Sequence, residues 1–278
     1  MSHPRTTLAR PELAARSLEG QLRAERYAAS TPMQCVAPSA AVRAQPDTAS
    51  ELQDQLLFGE VFDVLQTEAG WAWGQARRDG YVGWTPLAGL SAEVLAPTHR
   101  VMALRTGAMA EADFKSPTMA FYSLNALVTV EAVEGRYARD ARAGWFAAEH
   151  LRPIGELADA EPVAVAERFL AAPYQWGGRD SLGLDCSGLV QQALYGCGRG
   201  CPRDADMQEA ELGRPIAPDE LRRGDLVFWD GHVAWMLDEA RVLHANAFHM
   251  AVASEPLADL TARMRANGSG EPTSYRRL

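Results

Sequence analysis

Three side chains in the C-terminal part of the chain have the types and spacing for thiol chemistry: Cys186, His232 and His244. Cys186 lies in Leu184-Asp185-Cys186-Ser187-Gly188-Leu189-Val190. Leu189, Val190, Ala193 and Leu194 recur at the spacing of a helix with one buried face. Asp185 suits its N-cap, and Gly196 or Gly198 its end. Cys186 then falls in the first turn, where the helix dipole and free backbone N–H groups favour a thiolate. Gly188 keeps that turn open to a substrate backbone. Taken alone, a cysteine at a helix start is more often a packed residue.

The histidines carry the reading further. His232 sits in Gly231-His232-Val233-Ala234-Trp235-Met236-Leu237 and His244 in Val242-Leu243-His244-Ala245-Asn246. A turn at Asp238-Glu239-Ala240 would make these an antiparallel hairpin. With Leu237 opposite Arg241, His244 faces Ala234 and lies diagonal to His232, so both imidazoles share one face. That is what a general base and its orienting partner require. The alternative is two unrelated surface histidines.

The elements that must position these groups read as helices followed by strands. Pro162 opens a helix with Val163, Ala166, Phe169 and Leu170 on one side, and Pro173 stops it. After the Cys186 helix, Leu226–Trp229, Val233–Leu237 and Val242–Ala245 read as strands, giving an α+β domain over 156–278. Ahead of it, Gln55–Phe58, Val61–Leu65, Trp71–Ala76 and Tyr81–Trp84 are short apolar runs between Gly59, Gly70, Gly80 and Gly83, the pattern of a small β-barrel over 33–96. Met119–Tyr122, Leu127–Val133, Tyr137–Arg139 and Trp145–Ala147 repeat that rhythm over 97–155. Leu87–Leu90 and His150–Pro153 each follow a Gly-Trp pair, which points to an internal duplication. Residues 1–32 form a polar lead-in, with a short helix expected around Pro11 to Tyr27 and a role in packing across domains.

Composition narrows the partners. The chain has 278 residues, 36 acidic against 27 basic, for a net charge of −9. No Lys or Arg run stands out, which disfavours nucleic acid and anionic wall polymers. The first residues lack the roughly 7–15 apolar residues of a secretory signal, and no stretch reaches the ~18 of a membrane span, so a cytoplasmic protein with no membrane partner is expected. Four cysteines, Cys35, Cys186, Cys197 and Cys201, are no disulfide scaffold in a chain of this length. Cys197 and Cys201 lack two further ligands at metal-like spacing, and no third ligand is placed near the histidines, so neither metal nor cofactor is expected.

Several stretches of the last part resemble the NlpC-type peptidases, a papain-like group of bacterial cell-wall enzymes. They are Pro173-Tyr174-Gln175-Trp176-Gly177-Gly178, Leu184–Leu189, Pro202-Arg203-Asp204, Arg223–Phe228, Gly231-His232-Val233-Ala234 and Leu243-His244-Ala245. The resemblance implies a Cys186–His232–His244 triad, with the Cys186 N–H and the Tyr174 hydroxyl meeting the oxyanion. The two β units resemble bacterial SH3-like domains. The fold class expected is therefore two small SH3-like β-barrels followed by an α+β papain-like peptidase domain.

In enzymes of that arrangement the first barrel restricts substrates to murein peptides with a free N-terminal L-alanine, cut between γ-D-glutamate and an L-diamino acid, as in murein recycling. By resemblance, Glu51 would pair with the substrate ammonium and Tyr81 would line the same pocket. Trp176, Asp185 and Ser187 would contact substrate in the peptidase domain, the last two at the γ-D-glutamyl carboxylate and the peptide backbone; Asp185 also suits the helix cap. Two other readings stand beside this one: a murein-binding module without activity, and an amidase on the same fold.

Overall fold

The computed structural model describes residues 3–156 and 161–278. The chain divides into two compact units, Met1–Ile154 and Gly155–Leu278. Among the described residues no helix is long and apolar enough to cross a membrane.

The first unit is built from strands, and its strand order occurs twice. Residues 31–91 form one antiparallel sheet in which Leu90–Ser91, Thr31–Cys35, Val61–Glu68, Trp71–Ala76, Val82–Pro86, Ser39–Arg43 and Leu52–Leu57 lie side by side. In 99–153 the corresponding order is Leu151–Pro153, His99–Val101, Leu127–Val128, then Val130–Glu134, Tyr137–Asp140, Gly144–Ala147, Arg105–Met109 and Thr118–Ser123. The break at Thr129 divides the second set into two sheets. A 3₁₀ turn, Leu87–Gly89 or Ala148–His150, precedes the last strand of each set.

One loop repeats in hydrogen-bond detail. Asp47 Oδ1 accepts from the Ala49 N–H at 2.9 Å, and Ser50 Oγ accepts from Gln45 N–H at 3.0 Å. Asp113 accepts from Lys115 and Ser116 from Glu111 at the same two distances. Asp and Ser at this spacing fold the loop on itself through side-chain mimicry of a turn. The duplication that is loose in sequence is therefore close in topology.

The expected helix over Pro11 to Tyr27 is not there. That segment forms strands Leu13–Ala15 and Tyr27–Ala28 with a 3₁₀ turn at Arg16–Leu18. Leu13, Ala14 and Ala15 are all buried, and Ala14 pairs with Ala9 on one side and Tyr27 on the other. Leu8, Leu13 and Ala15 pack on Trp73 and Trp84 of the first sheet. The Arg10 guanidinium lies 3.9 Å from the Trp73 ring centre, a cation–π contact. The two strand sets share a core as well: Phe58 packs edge-on to Tyr122 at 4.9 Å among Val101, Val128 and Phe146.

The second unit carries a six-stranded antiparallel sheet in the order Arg214–Pro215, Ser274–Arg277, Asp225–Trp229, His232–Met236, Arg241–Asn246, Ala251–Pro256. Its central strand is buried at every position from Asp225 to Trp229, as expected of a strand covered on both faces. Helix Cys186–Gly196 packs on strands His232–Met236 and Arg241–Asn246. The Pro162 helix ends at Glu167, earlier than the apolar stripe suggested. Strand Ala251–Pro256, helix Leu257–Ala266 and strand Ser274–Arg277 complete the unit.

Candidate active site

Local chemistry sets the register that brings the histidines together. Asp230-Gly231, with Gly231 at φ +72°, is a two-residue hairpin loop that pairs Trp229 with His232. Asp238 Oδ1 accepts from Ala240 and Arg241 N–H groups at 2.8 and 2.9 Å and closes the next turn. Trp235 then pairs with Leu243 and Met236 with Val242, the register expected from the sequence. His232 Nε2 lies 2.7 Å from His244 Nδ1.

Cys186 opens its helix as expected. Asp185 caps it, Oδ1 accepting from the Gly188 N–H at 2.7 Å. The same carboxylate accepts from the Gly177 N–H at 2.9 Å and is gripped by the buried Arg203, with Nη1 2.9 Å from Oδ1 and Nη2 2.6 Å from Oδ2. Ser187 Oγ also accepts from Arg203 at 2.9 Å. A Cβ on Gly188 would stand 2.3 Å from the Gly178 carbonyl oxygen. The missing side chain thus makes room for the neighbouring backbone, not for a substrate backbone as the sequence suggested.

The thiol is polarised by opposing effects. Burial, then the Asp185 charge, push Cys186 up to about 12, against hydrogen bonds from the Val233 and Ser187 N–H groups and the Arg203 charge. The helix start pulls in the expected direction but is outweighed, so the resting thiol keeps its proton. Burial, then the His244 and Arg263 charges, push His232 down to about 3. Its imidazole is therefore neutral and able to accept a proton. Tyr174 is raised above the ordinary phenol range by burial and by the Cys186 and Asp185 charges, which keeps its O–H a donor.

Tyr174, Cys186, His232 and His244 line one cavity of about 220 Å³, which Phe248 and Arg263 also line. Behind His244 stands Glu255, Oε1 2.8 Å from its Nε2, and Arg263 pairs with that carboxylate. The sequence did not point to Glu255, Arg263 or the grip of Arg203 on Asp185. Only the pairing of Ala251–Pro256 with the His244 strand reveals the first two.

His249 joins His244 and Glu255 in a set whose ligand atoms lie within 4.8 Å of one another. A third metal-type ligand does stand beside His244, against expectation, but the Arg263 guanidinium already supplies the positive charge there. Cys197 and Cys201 are buried thiols, Cys201 Sγ donating to the Pro202 carbonyl at 3.4 Å.

The other candidate residues are more dispersed. Trp176 is 59% exposed. Glu51 and Tyr81 belong to the first unit: Glu51 is exposed directly after the Asp47–Ser50 loop, and Tyr81 is buried, its N–H donating to Asp79 Oδ1 at 3.1 Å.

A cysteine beside two hydrogen-bonded imidazoles is an arrangement suited to thiol chemistry, and two segments of the chain match known families. Residues 171–264 match the NlpC/P60 family, a family of cysteine peptidases, and residues 42–90 match the bacterial dipeptidyl-peptidase Sh3 domain. The chain thus combines an SH3 domain of that kind with an NlpC/P60 domain.

Dipeptidyl-peptidase 6 of Lysinibacillus sphaericus is 40% identical over 84 residues, covering 30% of this chain and 31% of that protein. The gamma-D-glutamyl-L-lysine dipeptidyl-peptidase of Bacillus subtilis is 35% identical over 85 residues, 28% of each chain. The chain thus spans about a third or less of the length of these relatives. An NlpC/P60 family protein from Bacillus cereus shares the fold, with TM-score 0.73 at 18% identity over 88% of this chain and 99% of that one.

Proposed function

We propose that this protein is a cysteine endopeptidase that hydrolyses the bond between γ-D-glutamate and an L-diamino acid in murein peptides with a free N-terminal L-alanine. The convergence of Cys186, His232, His244 and Tyr174 on one cavity carries the reading. Relatives named for γ-glutamyl bonds support the substrate class; one is the dipeptidyl-peptidase above, another a gamma-DL-glutamyl hydrolase of Bacillus subtilis, 40% identical over 74 residues.

On this reading the chemistry is that of a thiol nucleophile with an imidazole base. His232 takes the Cys186 proton as sulfur attacks the amide carbonyl, and the tetrahedral oxyanion is met by the Cys186 N–H and the Tyr174 hydroxyl. The His232 imidazolium then protonates the leaving amine, and an acyl-thioester remains. Water, deprotonated by His232, releases the γ-glutamyl product. His244 orients the base throughout.

Glu51 and Tyr81 are assigned to the free amine of the substrate, where a carboxylate–ammonium pair would reject a capped N-terminus. Trp176, Asp185 and Ser187 are assigned to the glutamyl side. A second SH3-like barrel over 97–155 is part of the same proposal, supported by the repeated strand order. A free L-alanine amine arises once the stem peptide has left its sugar, and a role in cytoplasmic murein recycling is part of the same proposal.

The test is cleavage of L-Ala-γ-D-Glu-meso-diaminopimelate beside its N-acetylated form, read by mass spectrometry. Release of L-Ala-γ-D-Glu from the free peptide alone is the expected result. Equal cleavage of both would discard the role of Glu51, and cleavage of neither would discard the substrate.

A further inference from the structure

Behind His244 the fold supplies a further polar layer that the triad does not account for. We propose that Glu255, clamped by Arg263, is a positioning residue of the reaction: it holds the His244 proton on Nε2 and thereby leaves the lone pair of His232 on Nδ1 for the Cys186 thiol. This rests on the reading of Cys186, His232 and His244 as the triad.

The argument is one of tautomers. Glu255 Oε1 lies 2.8 Å from His244 Nε2, and an ionised carboxylate can only accept. His244 Nε2 therefore carries hydrogen, and its Nδ1 is an acceptor. The 2.7 Å contact then requires His232 Nε2 to donate, so the remaining nitrogen, Nδ1, is the base. The Asn246 amide nitrogen stands 3.1 Å from the same His244 Nε2. As a donor it favours the opposite tautomer, which would reverse the His232–His244 hydrogen bond and leave the proton on His232 Nδ1. Glu255 decides between the two.

The surroundings keep Glu255 able to do this. His244 pairs in register with Ala253, and Glu255, two residues on, projects from the same face of the edge strand. Helix Leu257–Ala266, anchored by the buried Leu260, returns Arg263 onto the carboxylate. The Phe248 ring covers the Arg263 guanidinium at 4.2 Å on the cavity side. Burial raises the Glu255 carboxyl, but the hydrogen bonds from His244 and Arg263 outweigh it and hold the group at about 2. The charged or titratable neighbours are His244 on the adjacent strand, Arg263 on the helix, His249 beyond the turn, and Asp259 acting on Arg263.

The experiment is the pH dependence of Cys186 alkylation by iodoacetamide in the full chain, with peptide mapping to separate the four cysteines, for wild type, Glu255→Gln, Glu255→Asp and Arg263→Gln. This readout needs no substrate, so it decides on Glu255 even if the proposed peptide proves wrong. Glu255→Gln, whose amide can donate to Nε2, should slow alkylation at neutral pH at least ~100-fold, the scale of lost general-base assistance. Glu255→Asp, which keeps an acceptor, should recover most of the rate. Arg263→Gln should move the acid limb to higher pH, because the carboxyl loses its clamp. Equal losses in Glu255→Gln and Glu255→Asp with an unchanged pH profile would reduce Glu255 to a structural role and overturn the proposal. Unchanged alkylation in Glu255→Gln would also overturn it.

Discussion

Arg203 and Asp185 form a buried ion pair at the start of the Cys186 helix, Nη2 lying 2.6 Å from Oδ2 with both side chains under a tenth exposed. Two formal charges out of water are tolerable only because every carboxylate oxygen also accepts a backbone or hydroxyl hydrogen. The pair therefore fixes the helix cap, and through it the nucleophile. Arg203→Met leaves the Asp185 charge unpaired and should destabilise the domain by about 3–5 kcal/mol, read from urea unfolding midpoints. A loss under about 1 kcal/mol, the level of a surface ion pair, would show that the cap stands without its cation.

Gly188 gives a prediction of opposite sign to the usual one. Glycine to alanine inside a helix normally stabilises by about 0.5–1 kcal/mol. Here the new Cβ would meet the Gly178 carbonyl oxygen at 2.3 Å and Asp185 Oδ1 at 3.0 Å. Gly188→Ala should instead destabilise by about 1–3 kcal/mol, the scale of an overpacked core, and slow Cys186 alkylation. A stabilised Gly188→Ala protein would contradict the close approach of the two backbones.

The His232 imidazole links stability to pH. Its folded pKa is depressed to about 3, against 6.5 for the free side chain. Between those values the unfolded chain binds the proton and the folded chain does not, so stability is full above pH 6.5 and is lost as pH falls toward 3. Glu255, held at about 2 against 4.5, adds a loss of the same sign lower down. Thermal unfolding between pH 7 and 4 should therefore fall less steeply for His232→Gln than for wild type. Parallel curves would show that His232 is not desolvated in the folded state.

Tyr174 is assigned to the oxyanion, and removing only its hydroxyl isolates that role. Tyr174→Phe should lower kcat by about 100-fold, the cost of one oxyanion donor, with KM little changed. A rise in KM at constant kcat would instead make it a substrate-packing residue.

Much of the site could be read from residue order because it rests on local rules. The Asp185 cap, the Asp238 turn and the strand alternation set Cys186, His232 and His244 without knowledge of the rest of the fold. What escaped depends on partners distant in the chain. Arg203 meets Asp185 across 18 residues, and Glu255 meets His244 only once the strand after the Ala247–Met250 turn is paired. The Ala251–Pro256 segment offers neither an apolar run nor a period-two alternation to mark it as a strand. In the lead-in, helical spacing of leucines was misleading because Trp73 and Trp84 offer a surface that a strand covers better. The first unit shows the same principle, since strand order and one Asp–Ser loop repeat where residue identities differ.

The measurement that reaches the central claim most directly is hydrolysis of L-Ala-γ-D-Glu-L-Lys and its meso-diaminopimelate counterpart by wild type and by Cys186→Ala at neutral pH, with products identified by mass. The account predicts release of L-Ala-γ-D-Glu by the wild type and a loss of at least ~10⁴-fold in kcat for the variant, as for removal of a nucleophile acting as part of a unit. Hydrolysis that survives in Cys186→Ala, or products of a cut at any other bond, would contradict it.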